Sequence, residues 1–351
     1  MRRPAFLGCL VITALAAGAV AFASPGTTPS QSRLVGQTIM TGMSGTTPSA
    51  SLLGRVRRGE VGAVILFGAN VQTKPQVRAL VAKLQQAAAA GGNPPLLIAT
   101  DQEGGDVRRF HSGPPFDSAE TMGRTRTAAG VRAIGLATAR FLRPLGVNVD
   151  LAPVVDVPSS PSNFLGSRAF ARNVAVVARL GPAFAQGVQQ GHVAATAKHF
   201  PGLGTAPANT DEDRVVIHTS AKELTARLVP FQASITAGVR LVMVSNASYA
   251  ALDPSGLPAA LSPAIADGLL RKRLGFTGVA ITDTLAAPGP ERYRDAPVQA
   301  LRAGMDILLY PDESSSAAAF RQLVRTRGLF SALKRANTRI AALKAWLSAG
   351  Q

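Results

Sequence analysis

Cysteine is almost absent from the chain: Cys9 is the single instance in 351 residues. It lies within the apolar run 6–22, too close to the start to be a lipid-anchor cysteine. A chain that loses this run has no disulfide and draws its stability from a buried core, which its length allows. Aromatic residues are also sparse, at 5%, so there is little to stack on nucleic-acid bases. Acidic residues are few, 20 against 37 lysines and arginines, for a formal charge of +17. The basic residues are scattered rather than gathered on the clustered face that nucleic acid requires. The excess reads as solvated surface, with an anionic cell-wall polymer as the polyanion it admits. No G-x-G-x-x-G turn follows an early strand, which argues against a dinucleotide-binding fold. No spacing of histidine, cysteine and carboxylate fits a metal site, so neither metal nor cofactor is expected. Beyond Phe22 no run is long and apolar enough to span a membrane, and no short-period repeat is evident.

What is present begins with an address. Arg2 and Arg3 precede the uncharged run 6–22, and Ala21-Phe22-Ala23 follows with small residues at the A-x-A positions. That three-part layout is a cleavable secretory signal over residues 1–23. Its removal leaves 351 − 23 = 328 residues, a charge of +15 and no transmembrane anchor. The predicted location is secreted. Residues 24–32, SPGTTPSQS, read as a flexible leader. Residues 33–351 read as one domain.

From about residue 52, apolar strand-like runs alternate with helical stretches. The runs are 61–67, 95–101, 147–154, 192–200, 239–246, 278–283 and 305–311. The helical stretches are 74–90, 124–145, 173–190, 221–237, 262–274 and 296–303. The strands are continuously apolar, as expected when both faces of a parallel sheet are covered. A weak eighth strand near 36–40 would close the ring, so the predicted fold is α/β, a single-domain (β/α)8 TIM-like barrel. A doubly wound open sheet is the other arrangement the pattern admits.

Polar residues gather at the carboxyl ends of these runs: Asp101 and Glu103, Asp150 and Asp156, Lys198 and His199, Asn246, and Asp283. In a barrel those ends converge on one mouth, where active sites are built. One aspartate before a turn is readily a helix cap; several together are not.

The segments TDQEGGDVRRF (100–110), VNVDLAPVVDV (147–157), SRAF (167–170), KHFPGLG (198–204) and GFTGVAITDTL (275–285) carry a resemblance. In this order and spacing the chain resembles glycoside hydrolase family 3, most of all its single-domain β-N-acetylhexosaminidase branch, over roughly residues 33–311. The resemblance implies a carbohydrate substrate and a role for each residue. Asp283 matches the nucleophile of retaining hydrolysis. Asp101, Arg109, Lys198 and His199 match residues that contact the sugar, and Arg168 matches an arginine near the N-acetyl side. Gly104 and Gly105 serve a tight turn, and Asp150 and Asp156 are read equally as buried structural carboxylates or as substrate contacts.

The chain departs from the branch at the acid/base. The branch places an Asp-x-His dyad at the positions occupied here by Asn209 and Asp211, and a histidine where Leu203 stands. Asp211, Glu212 and Asp213 are the candidate replacements, since a carboxylic acid serves if burial raises its pKa; Asp211 occupies the histidine's position. Two other readings stay open: a sugar-binding protein that keeps the pocket without turnover, and an enzyme of different sugar or acceptor, including a phosphorylase.

Overall fold

The computed structural model describes residues 30–350. The predicted signal segment lies outside them, as does most of the predicted leader. The leader's last two residues instead open a helix, Gln31–Gln37, capped by the Ser30 side chain accepting from the Arg33 amide.

Eight strands form one sheet: β1 (Ile39–Thr41), β2 (Ala63–Leu66), β3 (Leu97–Thr100), β4 (Val149–Asp150), β5 (Ala194–Phe200), β6 (Leu241–Val244), β7 (Val279–Thr282) and β8 (Leu308–Tyr310). Neighbours follow chain order from β1 to β7, β8 pairs with β1, and every pairing is parallel. A bridge between Ile281 and Ile307, with Asp306 N donating to Ala280 O at 2.8 Å and Thr282 N to Ile307 O at 3.0 Å, joins β7 to the start of β8. The sheet is thus a nearly closed barrel, and the open-sheet alternative falls. The weakly signalled strand exists at β1. The 147–154 run pairs as a regular strand only at β4: Ala194 N donates to the Asn148 carbonyl but Thr196 N to that of Ala152, so the register shifts between them, and pairing resumes at a Val154–Lys198 bridge.

Side-chain parity organises the barrel. Met40, Ala63, Ile65, Leu97, Ala99, Val149, Leu151, Ala194, Leu241, Met243, Val279, Ile281, Ile307 and Leu309 pack into one interior cluster. The alternate strand residues, such as Val64, Ile98, Ala195, Val242 and Ala280, join the larger cluster beneath the surrounding helices. Because successive strand side chains point to opposite faces, the next inward position beyond Ala99 is Asp101, beyond Ile281 is Asp283, and beyond Ala194 come Thr196 and Lys198.

Helices Lys74–Ala90 and Val174–Gln190 match the sequence expectation closely. The 124–145 stretch is broken: Ala119–Thr125 ends at Arg126, and Thr127 caps a new helix, Ala128–Leu142. The 221–237 stretch is two helices, Ala221–Arg227 and Val229–Thr236, the second with a proline in its first turn. Residues Ala264–Arg273 form π-type turns. Two long helices, Glu313–Arg325 and Phe330–Ser348, lie beyond the last predicted strand. Among the described residues no helix is long and apolar enough to cross a membrane.

The helix Phe330–Ser348 closes the amino-terminal end of the barrel. Ile340, Leu343 and Leu347 join the interior cluster, each contributing about 1.5–3 kcal/mol by burial. Lys344 Nζ reaches Gln37 Oε1 at 2.7 Å and the Gly62 carbonyl at 3.3 Å. Arg339 donates to Asp306 Oδ1 at 3.0 Å, and Arg240 lies 4.4 Å from the centre of the Trp346 ring. Each partner stands at or just before the start of a strand, so this end is plugged and the pocket lies at the other.

Candidate active site

At the carboxyl ends of the strands a cavity of about 230 Å³ opens. Its floor is apolar: Ile65, Phe67, Leu151, Met243 and Leu309, the last inward residues of their strands or just beyond them. Its walls hold Asp101, Glu103, Arg109, Arg168, Lys198, His199, Asp211 and Asp283. Asp101, Arg109, Arg168, Lys198, His199, Asp211 and Asp283, assigned to the site from the sequence, therefore line one pocket. Two larger clefts line up none of these groups: one lies near His192 and Leu347 at the plugged end, the other on the outer side of the Arg168 turn.

After β3 the chain folds into a hairpin, Gln102–Gly104 against Val107–Arg108. Gln102 pins its base: Nε2 donates to the carbonyls of Phe110 (3.1 Å) and Pro114 (2.9 Å), and Oε1 accepts from Phe110 N (3.0 Å). Gly104 has φ +107°, and a Cβ there would lie 2.3 Å from the Asp117 carbonyl, so the turn admits no side chain. The hairpin so held presents Glu103 and Arg109 to the cavity.

An ion network fills one wall. Lys198 Nζ lies 2.8 Å from Asp101 Oδ1 and 2.7 Å from Glu103 Oε1. Arg168 grips Glu103 with Nε and Nη2, and Arg109 Nη2 stands 3.5 Å from Asp101 Oδ2. Burial acts to raise the Glu103 pKa, but Lys198 and Arg168 outweigh it and hold the carboxyl at about 2. Burial acts against the Lys198 ammonium, and Asp101 and Glu103 more than offset this, so its pKa rises. In the sequence Glu103 reads as a strand-end acid and not as a site residue. Its partners are distant in sequence and meet only through the barrel.

Lys198 and His199, joined by a cis peptide bond, both line the pocket. Asp156, fully buried, accepts from His199 N (3.0 Å), pairs with His199 Nδ1 (2.8 Å) and accepts from Leu203 N (2.7 Å). It holds the imidazole with Nε2 free for the cavity and ties down the start of the 201–215 loop. Asp150 is also fully buried and accepts from Gln102 N at 3.0 Å; burial raises its carboxyl well above the usual range. Neither residue lines the pocket. Of the two readings left open for them, the structural one fits.

Asp283 ends β7 at the mouth. Its Oδ1 accepts from Thr284 N at 2.8 Å, and buried Asn246 donates to the Thr284 carbonyl at 2.7 Å. The carboxylate is fixed while its other oxygen stays unclaimed by the hydrogen bonds that hold it. Asp211 enters from the loop after β5. It keeps an exposed surface yet forms part of the cavity wall, and partial burial followed by the charge of Asp283 raises its pKa. Glu212 and Asp213 do not line the cavity. Among the described residues no group of three or more histidine, cysteine, aspartate or glutamate side chains is placed to hold a metal.

One pocket thus contains a fixed carboxylate, a second carboxyl biased towards its protonated form, and a ring of charged donors and acceptors suited to hydroxyl groups. Residues 34–343 match the Glycosyl hydrolase family 3 N terminal domain. The chain is 37% identical over 284 residues to an uncharacterized secreted glycosyl hydrolase of Arthroderma benhamiae, covering 78% of this chain and 80% of that one. It is 33% identical over 293 residues to a beta-hexosaminidase of Nitrosomonas eutropha, covering 80% and 82%. Among solved structures, a beta-N-acetylhexosaminidase from Beutenbergia cavernae superposes with a TM-score of 0.82 at 34% identity, over 91% of this chain and all (100%) of that one. A family 3 beta-N-acetylglucosaminidase from Paenibacillus superposes with a TM-score of 0.87 at 33% identity; the match covers 92% of this chain and 63% of that longer enzyme. The pocket, the barrel that forms it and these similarities agree: the chain belongs to glycoside hydrolase family 3.

Proposed function

We propose that the protein is a retaining β-N-acetylhexosaminidase that removes terminal sugars from β-linked fragments such as those of cell walls. Asp283 is the nucleophile and Asp211 the acid/base. The observation that carries this reading is the pairing of the two carboxyls in one pocket, with Asp211 raised by partial burial and by the charge of Asp283. In the first step Asp283 forms a bond to the anomeric carbon as the bond to the leaving oxygen breaks, and that oxygen takes the Asp211 proton. In the second, the Asp211 carboxylate takes a proton from water, whose oxygen attacks the anomeric carbon and frees Asp283. Asp101, Arg109, Lys198 and His199 hold the sugar hydroxyls, with Arg168 towards the N-acetyl group. A pocket of about 230 Å³ suits one sugar ring and supports action at chain ends.

The test is leaving-group dependence in the wild type and in Asp211→Ala. General acid assistance contributes about 10²–10⁴-fold and matters most for basic leaving groups. The variant should keep release of dinitrophenol but lose release of methylumbelliferone and natural sugars. Equal dependence in both proteins would clear Asp211 of the role. Tight sugar binding with no turnover of any activated glycoside would favour a binding protein, and turnover that requires phosphate would favour a phosphorylase.

The protein acts after export. The charged start, apolar run and Ala21-Phe22-Ala23 support cleavage after Ala23, and a relative described as secreted agrees with that. Intact mass of the exported protein tests it; a retained Met1 in the membrane fraction contradicts it. The charge of +15 then favours residence near anionic wall polymer.

A further inference from the structure

The geometry points to Asn209 as the positioning residue that sets Asp211 in its acid position. The inference rests on the reading of Asp211 as the acid/base.

Asn209 folds the loop with both its side chain and its backbone. Its Oδ1 accepts from Asp211 N at 3.1 Å. Its carbonyl accepts from Glu212 N at 3.2 Å and from Asp213 N at 2.9 Å. Its Nδ2 donates to Glu212 Oε1 at 3.0 Å. Four hydrogen bonds from one residue reverse the chain around Thr210, which is 2% exposed and anchors the turn inward. The loop ahead of Asn209 is also fixed: Leu203 N binds Asp156, Ser159 N donates to the Gly204 carbonyl, and Asn163 Nδ2 donates to the Gly204 and Ala206 carbonyls.

The turn sorts three consecutive acids. Glu212 is engaged by the Asn209 amide, and Asp213 lies outside the pocket wall. Asp211, whose backbone is held but whose carboxyl takes no hydrogen bond from the turn, faces the cavity. An amide suits this task better than a carboxylate. It both accepts and donates, and it adds no charge beside Asp211 and Glu212. A carboxylate at position 209 would still accept from Asp211 N but would lose the donor to Glu212. Its negative charge would also push the Asp211 pKa higher.

The experiment compares Asn209→Ala, Asn209→Asp and Asp211→Ala on dinitrophenyl and methylumbelliferyl glycosides, with pH profiles of kcat/KM and inhibitor binding by calorimetry. Asn209→Ala should lower kcat on the methylumbelliferyl substrate by about 10–100-fold, within the range of general acid assistance. Its loss on the dinitrophenyl substrate should be several-fold smaller, with KM and inhibitor affinity little moved. Asn209→Asp should recover part of the rate, and its basic limb should move to higher pH. Equal losses on both substrates, or none, would overturn the inference while a steeper leaving-group dependence in Asp211→Ala keeps the acid reading. If Asp211→Ala shows no added dependence, the acid reading fails and this inference falls with it. An unmoved basic limb in Asn209→Asp also counts against it, because the charge at position 209 would then not reach the Asp211 carboxyl.

Discussion

Arg168 meets Glu103 through two hydrogen bonds of 2.9 Å each. The forked pairing fixes the guanidinium plane. Arg168 therefore presents an edge already oriented by a buried acid rather than a free side chain waiting for a sugar. Lys198 closes the other side of Glu103, so the wall is set before any substrate arrives.

That wall has an acid limit. Glu103 ionises near 2 in the folded protein against 4.5 as its ordinary value. Its contribution, about 3 kcal/mol, is complete above pH 4.5 and is lost as pH falls from 4.5 towards 2. Glu103→Gln should lower stability at neutral pH and flatten this acid limb. Chemical denaturation at pH 7, 4 and 3 checks both; parallel curves for the two proteins would remove Glu103 from the account.

Asp283→Asn should abolish turnover, with a loss on the order of 10⁴-fold or more, as when one member of a catalytic unit is removed. The swap is nearly isosteric and Thr284 N still finds an oxygen acceptor, so the melting temperature should stay close to that of the wild type. A 2-fluoro glycoside should label Asp283 in the wild type. Ordinary activity in the variant would refute the nucleophile assignment.

Lys198→Ala should act twice. Sugar affinity should fall by about 1.5–3 kcal/mol, the worth of a charge-assisted hydrogen bond. Stability should fall by roughly 3–5 kcal/mol, because Glu103 stays buried with one cation fewer. Calorimetry reports the first and denaturant unfolding the second. Unchanged sugar affinity in a folded variant would take Lys198 off the substrate.

At the plugged end, burial pushes Lys344 down to about 7 from an ordinary 10.5. Between these values the unfolded chain holds a proton that the folded protein lacks. Stability should therefore rise with pH from 7 to 10.5, by at most about 1.4 kcal/mol per unit from this group. Lys344→Met should remove that slope. Comparing the slopes at pH 7 to 9 is the check, since absolute stability also carries the lost bonds to Gln37 and Gly62.

Much of this architecture was legible in the sequence because a strand covered on both faces must be apolar throughout. That continuity located seven strands, and their polar ends located the mouth. It also hid parity. Val149 and Leu151 face the interior and so turn Asp150 away from the pocket, but three apolar-flanked positions in a row do not announce which way the middle one points. β1 was faint because only Ile39 and Met40 are apolar there, between Thr38 and Thr41. The Glu103–Arg168 pair was illegible for another reason: its members are 65 residues apart and nothing local requires them to meet. The break at Arg126–Thr127 hinged on one capping threonine inside an otherwise helical run.

The ring is sealed by the two ends of the described chain. β8 completes the sheet only by lying beside β1, and the bond from Lys344 to Gln37 spans 307 positions. Loop-closure entropy makes such contacts late ones. A chain emerging from a ribosome, or threading a narrow channel, can form strand–helix pieces but cannot shut the ring until β8 reaches β1. Closure of the ring therefore waits on the segment that carries β8, and β1 keeps an open strand edge until it arrives.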